Sequence, residues 1–297
     1  MEALAYHPVP CQPLRLPEAE AHGISLSIVR EDLNHPFVSG NKWWKLKENL
    51  REARRLGHHT LLTFGGAHSN HIYATAAAAR ELGFASVGVI RGEPVHNATL
   101  QFAAACGMQL HFVSRTQYRN KGDAAFLKTL TALFGPCYIL PEGGTNALAV
   151  QSCAEWGARL WQQHHPDVVV LPIGTGGTLA GLVCGLQGRS RLIGISVLKD
   201  GAFLTDTVAR LIEANSGRAL GNWRIETSFH GGGYGKSSPH LRHFIAYIEN
   251  EHHVLLDPVY TGKLMWAVSA LVREKYFSPG MRIFILHTGG LQGRQPE

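Results

Sequence analysis

Short apolar runs that close in a glycine turn and pass into a helical pattern recur along most of this sequence. The most apolar is residues 167–173 (DVVVLPI), followed by Gly174-Thr175-Gly176-Gly177-Thr178 and a small-residue helix to Leu186. A run apolar on both faces belongs inside a parallel sheet. The same grammar appears at 60–64 (TLLTF), 85–91 (ASVGVIR), 109–113, 138–140, 192–197 and 281–286, with helical stretches at about 72–82, 97–106, 122–134, 147–164 and up to Arg273 between them. Strands alternating with helices imply parallel sheets covered by helices, an α/β chain. Residues 1–22 are Pro-rich and read as irregular, 24–30 as a strand, and the span after 197 as two helical stretches.

With 297 residues there is enough chain for one large or two ordinary cores. The formal net charge of +6 is scattered. Its densest part, 51–55, is interrupted by acids and reads as a solvated helix face, not a nucleic-acid surface. A mildly basic surface suits small anionic substrates and phosphorylated cofactors. Cys11, Cys106, Cys137, Cys153 and Cys184 have neither disulfide nor zinc spacing and imply reduced thiols in a cytoplasmic protein. No secretory leader and no membrane-length run is expected. The 17 histidines form no metal motif.

The stretch Ser39-Gly40-Asn41-Lys42-Trp43-Trp44-Lys45-Leu46-Lys47 opens a helix that runs to Leu56. Trp43, Leu46, Leu50 and Ala53 give it an apolar face. Lys42 and Lys45 stand in its first turns, where the helix dipole disfavours cations by roughly 0.3–1 kcal/mol. An amine in an apolar, electropositive setting loses basicity and gains nucleophilicity. The alternative is that these lysines are solvated.

Four loops follow strands. Gly174–Thr178 leaves amides free at a helix N-terminus, a site for an anion such as phosphate, or else is a tight connection without a ligand. Its spacing fits neither the P-loop nor the dinucleotide fingerprint. In 65–71 (GGAHSNH), Ser69 or Asn70 can cap a helix, hold a carboxylate, or both. Residues 143–146 (GGTN) are similar, with Thr145 the candidate N-cap. His287-Thr288-Gly289-Gly290 lies at the carboxyl edge of a sheet, where open α/β folds bind ligands.

Six strings, GNKWWKL, FGGAHSNH, PEGGTNALA, GTGGTLAGL, DPVYTGK and HTGG, cover about residues 38–292. In order and spacing they resemble the aminocyclopropane-carboxylate deaminase / D-cysteine desulfhydrase family, fold-type-II pyridoxal-phosphate enzymes related to the tryptophan synthase β chain. The resemblance implies two α/β lobes of open parallel sheets with flanking helices and pyridoxal 5′-phosphate between them. Residues 1–47 and 146–297 would form the larger lobe and 48–145 the smaller, mobile one. In the family's GGNKxRKL string the second lysine is taken as the Schiff-base residue, which puts Lys45 in that role. Ser39 and Trp44 depart from the pattern. By the same resemblance Asn70 bonds the ring hydroxyl, and Ser69 faces the substrate carboxylate or assists proton transfer. Gly174, Thr175, Gly176, Gly177 and Thr178 hold the phosphate, and Tyr234 and Tyr260 line the substrate side.

Thr261 stands where the deaminases proper carry Glu, so the pyridine nitrogen would meet a hydroxyl, of Thr288 or Thr261. A hydroxyl cannot keep that nitrogen protonated as a carboxylate does. The ring is then a weaker electron sink, which favours β-elimination from a substrate with a leaving group. The expected activity is a lyase on a small amino acid, D-cysteine desulfhydrase-like, giving pyruvate, ammonia and sulfide. The alternatives are 1-aminocyclopropane-1-carboxylate deamination and, from another class, a non-catalytic pyridoxal-phosphate or phosphometabolite binder. A homodimer is implied, with no nucleic-acid or membrane partner.

Overall fold

The computed structural model describes residues 4–294 and contains two sheets. The larger has six strands in the order β1 (Cys11–Leu14), β2 (Ser25–Val29), β10 (Arg282–Leu286), β7 (Val168–Ile173), β8 (Arg191–Ser196) and β9 (Trp223–Glu226), numbered along the chain. Only the β1–β2 pair is antiparallel. The smaller is all parallel, in the order β5 (Met108–Val113), β4 (Ala85–Arg91), β3 (Thr60–Gly66) and β6 (Tyr138–Leu140). Every residue of β7 is buried, as its unbroken apolar run requires of a strand covered on both faces.

The helices are α1 (Pro17–Ala21), α2 (Asn41–Arg55), α3 (Asn70–Leu82), α4 (Ala98–Ala105), α5 (Arg115–Arg119), α6 (Ala124–Phe134), α7 (Ala147–His164), α8 (Gly177–Leu186), α9 (Leu204–Ser216), α10 (Pro239–His252) and α11 (Thr261–Arg273). The small side chains of α8 let it be buried along its whole length against α7.

Two sequence expectations change. The N-terminal segment is not irregular, because β1 pairs with β2 from Cys11↔Val29 to Leu14↔Leu26. An edge strand has no neighbour on one side, so Pro13 is tolerated there. Between 198 and 230 there is one α-helix of several turns, α9, and then β9 pairs parallel to β8. β9 is a half-buried four-residue edge with a mixed pattern, WRIE, which hides it from a periodicity search.

Helix α2 buries Trp43, Trp44, Lys45, Leu46, Asn49, Leu50 and Ala53, a wider face than its apolar residues alone suggest. Trp44 stacks on Trp156 of α7, ring centroids 5.7 Å apart and 2° from parallel. Its indole N–H donates to buried Glu31 at 3.0 Å, and Asn34 Nδ2 and Tyr6 Oη donate to the same carboxyl at 2.7 and 3.2 Å. Burial nevertheless outweighs these donors and pushes the Glu31 pKa up to about 7. The aromatic stack and this carboxyl fix the rotation of α2, and so the direction in which its lysines point.

Candidate active site

The carboxyl ends of β3, β6, β7 and β10 feed four loops that meet around the start of α2. Gly40, just before α2, has φ +69° and touches the β10 loop so closely that a Cβ would lie 2.0 Å from Thr288 O. Only glycine permits both the left-handed backbone and this approach. On the opposite side, a Cβ on Gly290 would meet Asn70 Nδ2 at 2.6 Å, so the start of α3 touches the same loop.

The loop 174–176 after β7 ends in Gly176, left-handed at φ +78°, and no side chain caps α8. A Cβ on Gly177 would strike Thr145 Cγ2 at 2.7 Å, and one on Gly174 would crowd Tyr260 Oη at 3.2 Å. Bare amides at a helix start beside hydroxyls are a candidate cradle for an anion, and glycine lets Thr145 and Tyr260 approach it closely. Thr178 Oγ1 accepts from Asn41 Nδ2 at 3.0 Å, tying the cradle to α2. Thr175 Oγ1 and Thr145 Oγ1 are 2.6 Å apart.

The two lysines at the start of α2 differ. Lys45 is 2% exposed. Its Nζ donates to Gly143 O at 2.6 Å, Thr145 Oγ1 at 2.8 Å and Thr175 Oγ1 at 3.4 Å, so its three donor directions are taken at the rim of the anion cradle. Burial, with the nearby Lys42 charge, lowers its pKa to about 7. Lys42 is half-buried, and its Nζ donates only to its neighbour Asn41 Oδ1, at 3.3 Å. Burial lowers its pKa to about 8, leaving an appreciable share neutral near pH 8.

Ser69 is the N-cap of α3, and its Oγ accepts from His71 N and Ile72 N at 3.2 and 3.3 Å. Ser69 and Asn70 are both half-buried. His71 carried no role in the sequence reading. It is buried, its Nε2 faces Thr63 Oγ1 at 2.9 Å, and its Nδ1 has no partner among the described residues. Burial, Lys42 and Lys45 hold its pKa well below the usual value, so the ring is neutral. Because Thr63 Oγ1 donates to Leu140 O at 3.1 Å, Nε2 carries the proton and Nδ1 presents a bare lone pair.

The second unanticipated residue is Asp257, 1% exposed. Its Oδ2 accepts from Val259 N and Tyr260 N, and its Oδ1 from Thr261 N and Thr261 Oγ1, all at 2.8–2.9 Å. Asp followed three to four residues later by a helix start is the readable signal for such a cap. The Thr261 hydroxyl has thus spent its one proton on Asp257, and it also accepts from Asp257 N at 2.8 Å. Thr288 is buried, and its hydroxyl has no hydrogen-bond partner among the described residues. Tyr260 and Tyr234 meet edge to face, centroids 6.0 Å apart. Burial first, then Tyr234, holds the Tyr260 phenol well above its ordinary pKa. Tyr234 itself is 42% exposed.

These residues fit a phosphorylated aldehyde: bare amides at a helix start, amines of lowered basicity near them, and an unspent hydroxyl on the loop that packs against Gly40. Among the described residues no group of three or more His, Cys, Asp or Glu is arranged to hold a metal ion, and no helix is long and apolar enough to cross a membrane.

The profile of a family described as pyridoxal-phosphate dependent enzyme matches residues 3–289. A Pyrococcus furiosus protein named putative 1-aminocyclopropane-1-carboxylate deaminase is 30% identical over 288 residues, 91% of this chain and 86% of that one. Salmonella typhi D-cysteine desulfhydrase is 30% identical over 288 residues, 90% and 87% of the two chains. The Arabidopsis thaliana mitochondrial bifunctional D-cysteine desulfhydrase/1-aminocyclopropane-1-carboxylate deaminase is 28% identical, covering 98% of this chain and 78% of its own. Among solved structures, an ACC deaminase homologue superposes with a TM-score of 0.86 at 27% identity, over 98% of this chain and 91% of that one.

Proposed function

Because this chain belongs to the pyridoxal-phosphate-dependent enzymes and has their tryptophan synthase β-like, type II fold, we propose that it is a lyase that eliminates the β-substituent of a small amino acid, D-cysteine first among them. The observation that carries the choice is at the C-terminal wall. Asp257 is consumed by capping α11, and Thr261 by Asp257, so the unspent group there is the Thr288 hydroxyl. A neutral hydroxyl there would leave the bound ring a modest electron sink. That suffices when a thiol departs with the electrons and disfavours opening a ring that has no leaving group. Deamination of the cyclopropane acid is the second reading, carried by the names of relatives on both sides of the comparison.

The bound cofactor supplies an electrophilic carbon and a conjugated ring that accepts charge from Cα. The amides of 174–178, with the Thr175 and Thr178 hydroxyls, would hold its phosphate, and Asn70 its ring hydroxyl. Sequence resemblance assigned the covalent amine to Lys45. We assign it to Lys42, because an attacking amine needs room to move: Lys45 Nζ is enclosed by Gly143 O, Thr145 Oγ1 and Thr175 Oγ1, whereas Lys42 Nζ meets only Asn41 Oδ1. Lys45 then serves as the cation beside the phosphate cradle. Lys42 Nζ would take the proton from Cα. The Ser69 hydroxyl, whose own proton is unspent, would donate to the substrate carboxylate, and Tyr234 and Tyr260 would flank the side chain.

Residues 48–145 read as a lobe that closes on substrate; the extreme ends of the larger lobe, 1–3 and 295–297, lie outside the described residues. A cytoplasmic homodimer is part of the same reading and is checked by light scattering and fractionation. The central test is borohydride reduction of the loaded protein followed by peptide mapping, with keto-acid release measured from D-cysteine and from the cyclopropane acid. The pyridoxyl label is expected on Lys42 and pyruvate from D-cysteine. A label on Lys45 overturns the lysine assignment, and 2-ketobutyrate without pyruvate overturns the substrate.

A further inference from the structure

The helix that Asp257 caps carries a lysine with no part in the site described so far. Lys263 of α11 is 0% exposed. Its Nζ donates to Gly233 O at 2.8 Å, and a Cβ on Gly231 would lie 3.2 Å from its Cε. Among the described residues it has no ion-pair partner, and burial lowers its pKa to about 8. The Asp257 carboxylate works against that fall, but the only group bonded to Nζ is a neutral carbonyl, so burying this ammonium carries a desolvation cost that a methionine of the same length would not. Such a charge has to do something an apolar side chain cannot.

What it does is visible in the loop it grips. Gly231, Gly232, Gly233 and Gly235 all have left-handed backbones, at φ +60°, +96°, +117° and +70°. Tyr234, Gly235 and Lys236 are exposed. Within the loop there are only local turn bonds, Gly233 N to His230 O at 3.0 Å and Lys236 N to Gly233 O at 3.1 Å, with Gly232 N to His230 Nδ1 at 3.0 Å. Four glycines have no side chains with which to fasten themselves to a core. The Gly233 carbonyl is the backbone attachment point, and the next residue is Tyr234, whose side chain meets and hydrogen-bonds Tyr260 beside Gly174.

We propose that Lys263 is a positioning residue: by holding the Gly233 carbonyl it anchors the glycine loop and keeps Tyr234 against Tyr260 at the mouth of the active site, where it sets the fit of the substrate side chain. The substrate half of this statement rests on the reading of Tyr234 given under the proposed function; the anchoring half does not. Amide hydrogen exchange over 231–236 in the cofactor-loaded protein, for wild type, Lys263→Met and Lys263→Gln, tests the anchor, and steady-state kinetics with D-cysteine test its consequence. Exchange in the loop is expected to quicken about 10-fold or more in Lys263→Met, with α8 and β10 unchanged. KM should rise toward that of Tyr234→Ala while kcat changes about 2-fold or less. Loop exchange at the wild-type rate, or a loosened loop with an unaltered KM, overturns the proposal. If Lys263→Met does not fold, Lys263→Gln is judged by the same two results. If the wild-type protein turns over no amino acid, the functional reading fails, and the exchange data alone decide the anchor.

Discussion

Replacing Lys45 by methionine separates a phosphate counter-charge from a covalent amine. The ammonium of Lys45 sits 3.4 Å from Thr175 Oγ1, on the wall of the cradle at the head of α8. Taking ~5 Å as the separation from one unit of anionic charge held there, the attraction is about 3 kcal/mol at an effective dielectric of ~20. That is about 100-fold in affinity. The same coupling must appear in protons. Without ligand the amine titrates at about 7. An attraction of ~3 kcal/mol raises that to roughly 9, so at pH 8 the amine passes from about one-tenth to about nine-tenths protonated and takes up ~0.8 proton on binding. Since the ligand-bound form holds more protons, affinity falls as pH rises from 7 to 9. The probe is 4′-deoxypyridoxine 5′-phosphate, which has the phosphate but no aldehyde, so no covalent chemistry at Lys42 intrudes. Isothermal calorimetry at pH 8, in two buffers of different ionisation enthalpy, should give about 10-fold weaker binding for Lys45→Met, since most of the unliganded amine must first take up its proton there, rising toward about 100-fold below pH 6, and ~0.8 fewer protons taken up at pH 8 than by wild type. Borohydride should still fix saturating pyridoxal phosphate to the variant. Equal affinity and equal proton uptake in the two proteins would refute the counter-charge.

Three other perturbations read different parts of the structure. Glu31 has a raised pKa in the folded protein, about 7 against 4.5, so the native state holds the extra proton and loses stability as pH rises between those values. Urea titrations should show a loss of up to about 3 kcal/mol across that window, abolished in Glu31→Gln. Gly40→Ala places a Cβ 2.0 Å from Thr288 O on a left-handed backbone. It should cost at least ~3 kcal/mol in unfolding measurements and cut cofactor affinity, because α2 and the β10 loop must part. Thr288→Val should leave the melting temperature near wild type and lower kcat about 10-fold or more, whereas Thr261→Val, by stripping buried Asp257 of a donor, should cost roughly 2 kcal/mol of stability. A kinetic defect confined to Thr261→Val would reverse the choice of pyridine partner.

Local pattern carried most of the fold. β7 is readable because six consecutive apolar residues bounded by turn signals have few other homes, and the helix start at Ser69 is readable because its side chain does cap, whereas the cap expected at Thr145 is made one residue later by Asn146. Strings of glycine, threonine and asparagine after strands located the loops of the site, since only such residues leave backbone amides bare. The edges were opaque: β1 and β9 are short and half-buried and take their structure from the neighbour they pair with, not from their own period.

Which lysine does what lay beyond the sequence. Lys42 and Lys45 stand three residues apart on one helix, close to a full turn, so periodicity assigns them to nearly the same face. Only packing separates them, because Trp44 against Trp156 sets the rotation of α2 and the loop at 143–145, nearly a hundred residues away, closes over one amine and not the other. The same holds for Lys263, whose partner Gly233 lies thirty residues away, and for His71, whose buried Nδ1 has no partner among the described residues. Asp257 differs, since its partners lie two to four residues further on.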